Sequence, residues 1–287
     1  LHLNHIQLLP KDGCPGPVEV PLSDNAVLVI VDTQWLLHQW NKPGEESSCA
    51  AKTKVEVLTQ LEDICKRNYN KRIFIAGHHP LITYGDHGGV FTWQDHLFPL
   101  VDVHRSLFIP FPVIGSIVPF YRKFFGHIQD TSHPEYRQWV KSILLLMDQY
   151  PGTFYLSGHE HALQYIRKDS SHLIVSGSGV KETFVRKKGF AQFVKGKTGF
   201  VKIDHYADGR DVIACYEVSK DTTGLVYHTA IPVSKRMRPV LKESAERSIE
   251  NELIQVTASD RYQASRWKQK LFGENYRQAW MTPLQVP

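Results

Sequence analysis

The chain has 287 residues, 42% of them apolar and 22% charged. That is enough to bury a core, and it excludes an intrinsically disordered chain, a collagen and a coiled coil. The longest apolar stretch, 107–121, holds Pro110, Pro112 and Pro119, so it is not the regular helix of about 18 residues or more that crosses a bilayer. Of the net +5 charge, +4 falls in residues 235–287, where ten Lys/Arg meet six Asp/Glu. The nearly neutral remainder argues against a phosphate-tracking nucleic-acid surface.

In chain order, the apolar runs 27–31, 72–76 and 153–157 lack polar alternation and end in polar residues or glycine, the pattern of strands buried on both faces of a parallel sheet. Between the first two, Val55, Leu58, Leu61 and Cys65 fall on one helical face, which makes a right-handed βαβ unit. Residues 85–131, rich in Phe, Pro and Gly, are too long for an ordinary connection and read as a lid or partner-facing insertion. The spacing then predicts a helix starting at a Ser132/Glu135 capping box with Pro134 in its first turn. Its buried face is Tyr136, Trp139, Val140, Ile143, Leu144 and Met147, and Pro151-Gly152 ends it. A strand over 172–176 leads into the turn Gly177-Ser178-Gly179, and a meander follows over 199–204, 211–218 and 225–230. Hydrophobic periodicity fades beyond 237, placing a boundary near Ser234. The fold class that follows is an α/β sandwich with mixed sheets over 1–234, with a basic linker or tail over 235–287. Cys14, Cys49, Cys65 and Cys215 have no metal-ligand spacing and read as buried or incidental thiols.

Chemistry concentrates where two buried strands end. The second runs into Gly77-His78-His79-Pro80 and the third into Gly158-His159-Glu160-His161. In an open α/β sheet ligands gather outside the carboxyl ends of the strands, and neutral imidazole is a common transition-metal ligand. A lone histidine would not make a site; two Gly-His clusters at two strand ends of one sheet do.

These loops, with the continuation Ala162-Leu163-Gln164-Tyr165, the pair Asp32-Thr33 and the Ser176 to Gly179 turn, resemble the calcineurin-like metallophosphoesterases, most closely the purple acid phosphatase branch. The resemblance runs over 27–219. It implies a metallophosphoesterase-type α/β sandwich that hydrolyses phosphate esters, phosphomonoesters foremost, with two metal ions of the Fe, Zn or Mn class. It implies His78 and His159 as ligands of one metal and His161 as a ligand of the other, with His79 supporting them. His87, preceded by Asp86, then faces the substrate phosphate as a catalytic acid or charge partner. The substrate would be a phosphorylated small molecule or peptide.

The family's remaining ligand motifs, Asp-x-His, Gly-Asp-x-x-Asp and Gly-Asn-His-Asp/Glu, do not occur in their places. Asp102-Val103-His104 follows the His78 loop and is read as coincidence, and Asn4-His5 as ordinary loop. With Leu1 first, the expectation is that the N-terminal βαβ part with its bridging carboxylate is missing and that this chain alone is inactive, with one sheet edge bared. The alternative is a non-catalytic metallophosphoesterase-like binding module. The apolar segment 111–120 is open between packing on the body and meeting a membrane or partner. The tail segment 267–277 with Trp280-Met281-Thr282-Pro283 resembles the lead-in from such domains to an outer-membrane β-barrel, which implies a cell-envelope protein and a membrane-proximal tail; a solvated linker is the other reading.

Overall fold

A computed structural model describes residues 8–38, 42, 44, 46–98, 109–111 and 114–233. The readings placed on Asn4-His5, on Asp102 to His104, on the boundary at Ser234 and on the tail lie outside these residues.

The apolar runs become the middle of a mixed seven-stranded sheet ordered β1-β2-β3-β4-β6-β5-β7. Strands β2 (Ala26–Ile30), β3 (Arg72–Ala76), β4 (Phe154–Ser157) and β6 (Ser171–Ser176) run parallel. Three strands unforeseen from the sequence complete it, all antiparallel to their neighbours: β1 (Val18–Ser23), β5 (Leu163–Lys168) and β7 (Ala191–Lys195). β1 pairs along the outer edge of β2 and is itself the edge strand on that side. The predicted meander forms a second sheet of β8 (Gly199–His205), β9 (Asp211–Val218) and β10 (Thr223–Ile231), ordered β10-β9-β8.

Alternation along the central strands divides the core. Ile73 and Ile75 of β3 point to the helical side, where they join Val57 and Leu61 of α2 (Lys54–Arg67) and Trp139, Ile143 and Met147 of α5 (Pro134–Gln149). Phe74, between them, faces the small sheet with Phe154, Ile213 and Cys215. Side chains with period two therefore glue helices to one face and the second sheet to the other. The result is an α/β sandwich with mixed sheets.

Several local expectations are corrected. Val55 lies exposed while Val57 and Ile64 are buried, so the inward face of α2 is rotated from the predicted one. Helix α2 carries a real capping box, with the Glu56 amide donating to Thr53 Oγ1 at 3.1 Å and the Thr53 amide to Glu56 Oε2 at 3.2 Å. The box predicted for α5 does not form: His133 is the N-cap without a side-chain bond, Ser132 Oγ donates to the Arg122 carbonyl, and Glu135 pairs with Lys54 Nζ at 3.0 Å. Two of the cysteines are not thiols. Cys14 and Cys49 form a disulfide, whereas Cys65 and Cys215 are free and buried as expected. Within the excursion the described residues include the short helix α3 (Trp93–Leu97) and α4 (Ile117–Phe124).

Candidate metal centre

β3 and β4 are hydrogen-bonded parallel neighbours in register, Ala76 opposite Leu156. Their carboxyl ends therefore deliver the two Gly-His loops side by side, and the Gly158 amide donates to the His78 carbonyl at 3.1 Å. Gly77 leaves this turn because a Cβ there would come 2.7 Å from the Tyr155 hydroxyl and 2.8 Å from Thr33 Cγ2. His159 holds a left-handed φ of 62°, a conformation a non-glycine residue rarely adopts and one that clusters at functional sites.

The side chains of His78, His79 and His159 converge, with one ring nitrogen from each lying within 4.8 Å of the others. His78 Nε2 is 3.1 Å from His159 Nδ1. His159 Nε2 is 2.9 Å from the Gln129 carbonyl oxygen; that oxygen only accepts, so Nε2 carries the proton and Nδ1 presents its lone pair towards His78. His79 is buried with both nitrogens engaged, Nδ1 at 2.8 Å from Thr33 Oγ1 and Nε2 at 2.8 Å from Gln129 Oε1. Its geometry suits support of the pair more than ligation.

Burial pushes the His159 imidazole down to about 3, helped by the neighbouring His87 and His79. Burial likewise brings His79 to about 4 and lowers His78, the latter opposed by the charge of Asp32. These rings are neutral at physiological pH, the form in which imidazole ligates a metal. His161 does not join the group. Half-buried and lowered mainly by burial, it is an electrostatic neighbour of His78 and not a member of the converging set.

His87 does come to the cluster, its ring centroid 4.0 Å from that of His159. It sits on a single 3₁₀ turn, Asp86–Gly88, and its Nδ1 meets Asp130 Oδ1 at 3.0 Å. Asp130, buried in the excursion, also accepts from Arg122 Nη2 at 2.7 Å and from the His127 amide at 3.0 Å. Burial works against its charge, but these bonds outweigh burial and hold its carboxyl well below the usual range. Glu160, between the two histidines of its loop, is fully buried and turned away. It accepts from Thr83 Oγ1 at 3.2 Å, Thr183 Oγ1 at 2.8 Å and the His87 amide at 3.1 Å.

Sequence reasoning missed Thr33's contact, Gln129, Asp130 and Arg122. Asp32-Thr33 was visible as a motif, but its carboxylate accepts from the Trp35 amide at 3.0 Å and caps α1 (Thr33–Leu37).

Two nitrogens bound to one tetrahedral ion at zinc distances stand about 3.3 Å apart, close to the 3.1 Å between His78 Nε2 and His159 Nδ1. The pair fits one divalent ion. Among the described residues no carboxylate belongs to the histidine group, and a pair of metals needs one to hold them together and balance their charge.

No family model matches the chain, and no curated protein matches it. Among solved structures it is similar to GAP50, the anchor in the inner membrane complex of Plasmodium, at 15% identity and TM-score 0.47, covering 81% of this chain and 58% of that one. A purple acid phosphatase is also among them. That protein, PPD1 from yellow lupin seeds, is 12% identical with TM-score 0.44 over 74% of this chain and 32% of its own. PhoD is 9% identical with TM-score 0.43 over 83% of this chain and 49% of its own. The chain thus spans less than two thirds of each of these proteins.

Proposed function

We propose that the chain carries the histidine side of a metal-dependent phosphoric-ester hydrolase. The observation that supports this best is the His78 and His159 pair at adjacent strand ends, with the His87 ring against His159. His78 and His159 would hold one ion of the Fe, Zn or Mn class. Such an ion, when bound, polarises a phosphoryl oxygen and lowers the pKa of water. The residues around it do the positioning. His79 is clamped between Thr33 and Gln129, and Gln129, whose side chain meets His79 and whose carbonyl meets His159, ties the two ligand loops together and fixes the His159 tautomer. Asp130 holds the Nδ1 side of His87, leaving Nε2 for a phosphoryl or leaving-group oxygen. The disulfide favours an oxidising compartment and so the cell envelope.

The lack of a carboxylate in the described histidine group favours a second reading, a non-catalytic module that binds a metal ion and a phosphate ester without turning it over. One pair of measurements separates the two. Calorimetric titration of the 287-residue chain with Zn or Mn should give one ion per chain, lost in His78→Ala and His159→Ala; no binding by the wild type ends both readings. Hydrolysis of p-nitrophenyl phosphate with the same ions supports the enzyme if turnover disappears in the double variant. Turnover no faster than that variant's, with metal binding intact, supports the module.

A further inference from the structure

Helix α4 is built inside out. Its guanidinium faces inward, Arg122 bonding Asp130, and its buried side chain is Pro119. Its large apolar side chains face water: Ile117, Val118, Phe120, Tyr121 and Phe124, joined by Phe125, are each more than half exposed, from 51% to 67%. The rings pair along the surface, Phe120 stacked with Phe124 and Tyr121 with Phe125 at 6.2 and 5.8 Å between centroids. On the adjoining α3, Trp93 is 67% exposed as well. A helix that only had to pack on a water-soluble body would show the opposite polarity. Contiguous apolar surface of this kind marks an interaction site.

Cations flank it, while Asp95 of the adjoining α3 is tied into that helix's own capping box. Lys123 lies on the same helix, and the loop after β6 brings Lys188 within reach of its charge, with Arg186 beside Lys188. The Lys188 ammonium sits 5.6 Å above the Tyr84 ring; burial lowers its pKa, and so do the neighbouring charges of Lys123 and Arg186. No Asp or Glu occurs between residues 115 and 129 or between 183 and 203. Exposed aromatics with flanking cations, and no acid on α4 itself, suit a headgroup layer with negative charge, where rings bury at the boundary and ammonium groups meet phosphates. A second copy of the chain fits less well, because a two-fold interface through this patch would set the same cations against each other.

We propose that α4, together with the Arg186 and Lys188 loop, docks the protein on the surface of an anionic lipid bilayer, the aromatic side chains entering the headgroup region. No helix of the described residues is long and apolar enough to cross a membrane, so this contact is peripheral. It stands without the phosphoesterase reading.

The test is co-sedimentation of the full chain with vesicles of phosphatidylcholine alone and of phosphatidylcholine with phosphatidylglycerol. Binding is expected to the anionic vesicles and to weaken with salt. Phe120→Ser/Phe124→Ser should reduce the partition coefficient by roughly tenfold or more. Lys123→Ala/Lys188→Ala should reduce it about 30-fold and flatten the salt dependence. Neither pair touches the histidine cluster, so metal binding should be unchanged, which also verifies folding. A nitroxide on Phe124→Cys reports insertion directly, since the free cysteines Cys65 and Cys215 are buried; it should gain exposure to oxygen and lose exposure to an aqueous nickel chelate. No vesicle binding, binding that both pairs of substitutions leave unchanged, or concentration-dependent dimerisation abolished by Phe120→Ser/Phe124→Ser would each overturn the proposal, the last in favour of a second copy.

Discussion

At the scale of single residues, buried histidines should make this protein sensitive to mild acid, and His172 is the case to test away from the histidine cluster. It is 3% exposed, stacked on Phe154 at 4.6 Å, with Nδ1 3.0 Å from the Tyr165 hydroxyl. Burial, and then the charges of Arg72 and Arg167, bring its pKa down from 6.5 to about 4. The unfolded chain therefore binds this proton first as pH falls, so stability is full above the unfolded pKa and is lost between about pH 6.5 and pH 4. The shift corresponds to about 2 kcal/mol lost between neutrality and pH 5. His172→Gln should be less stable at pH 7.5 but show a shallower decline of its urea midpoint towards pH 5; an identical decline would show that His172 titrates normally. The same scale shows what a sequence can and cannot display. His78 and His159 were legible because each follows a glycine at the end of an apolar strand. Gln129, Asp130 and Arg122 were not, because they sit in a long excursion with no periodicity, and only the fold carries them back to His79, His159 and His87. His161 resembled His159 on paper, yet His159 takes a positive φ that aims its ring into the cluster, and the ring of His161 remains outside the converging set.

At the scale of elements, the parallel strands were readable because burial on both faces removes polar alternation and leaves plain apolar runs. β1 and β7 were not, since each lies at a sheet edge with mixed burial and polar side chains such as Glu19 and Gln192. The join between the two sheets is also hidden from sequence. Arg72, 2% exposed at the start of β3, reaches Asp211, fully buried at the start of β9, with Nη2 2.6 Å from Oδ2; Asp211 Oδ1 lies 2.7 Å from His205 Nδ1 on β8. Arg72 also donates to the Gly152 carbonyl at 2.7 Å. A buried pair of this kind adds little net stability as a whole, but removing one member leaves a charge without its partner. Asp211→Ala should therefore cost about 3–5 kcal/mol in urea denaturation, whereas Arg72→Met/Asp211→Leu should recover most of it. A single variant no less stable than the double one would mean that the two sheets are held by Phe74, Phe154 and Ile213 alone.

At the scale of the whole molecule, the histidine cleft, the helical face and the small sheet all hang on strands β2 to β4, and a covalent link ties the segment before β1 to the stretch between α1 and α2. Cys14 precedes β1, Cys49 follows α1, and the bond between them closes 35 positions of chain that contain β1, β2 and Thr33. Thr33 in turn holds His79. Closing a loop of this size removes entropy from the unfolded chain worth about 4 kcal/mol in the chain-entropy model. Cys14→Ser/Cys49→Ser should accordingly lower the urea midpoint, and adding a reductant should do the same to the wild type and nothing to the double variant. Because the loop contains Thr33, the residue that holds His79, loss of the link should also weaken Zn or Mn binding more than the replacement of a buried free cysteine such as Cys215→Ala. Unchanged denaturation in reductant would mean that the strand pairing of β1 with β2 alone fixes the segment, and that the bridge has no part in holding the cleft.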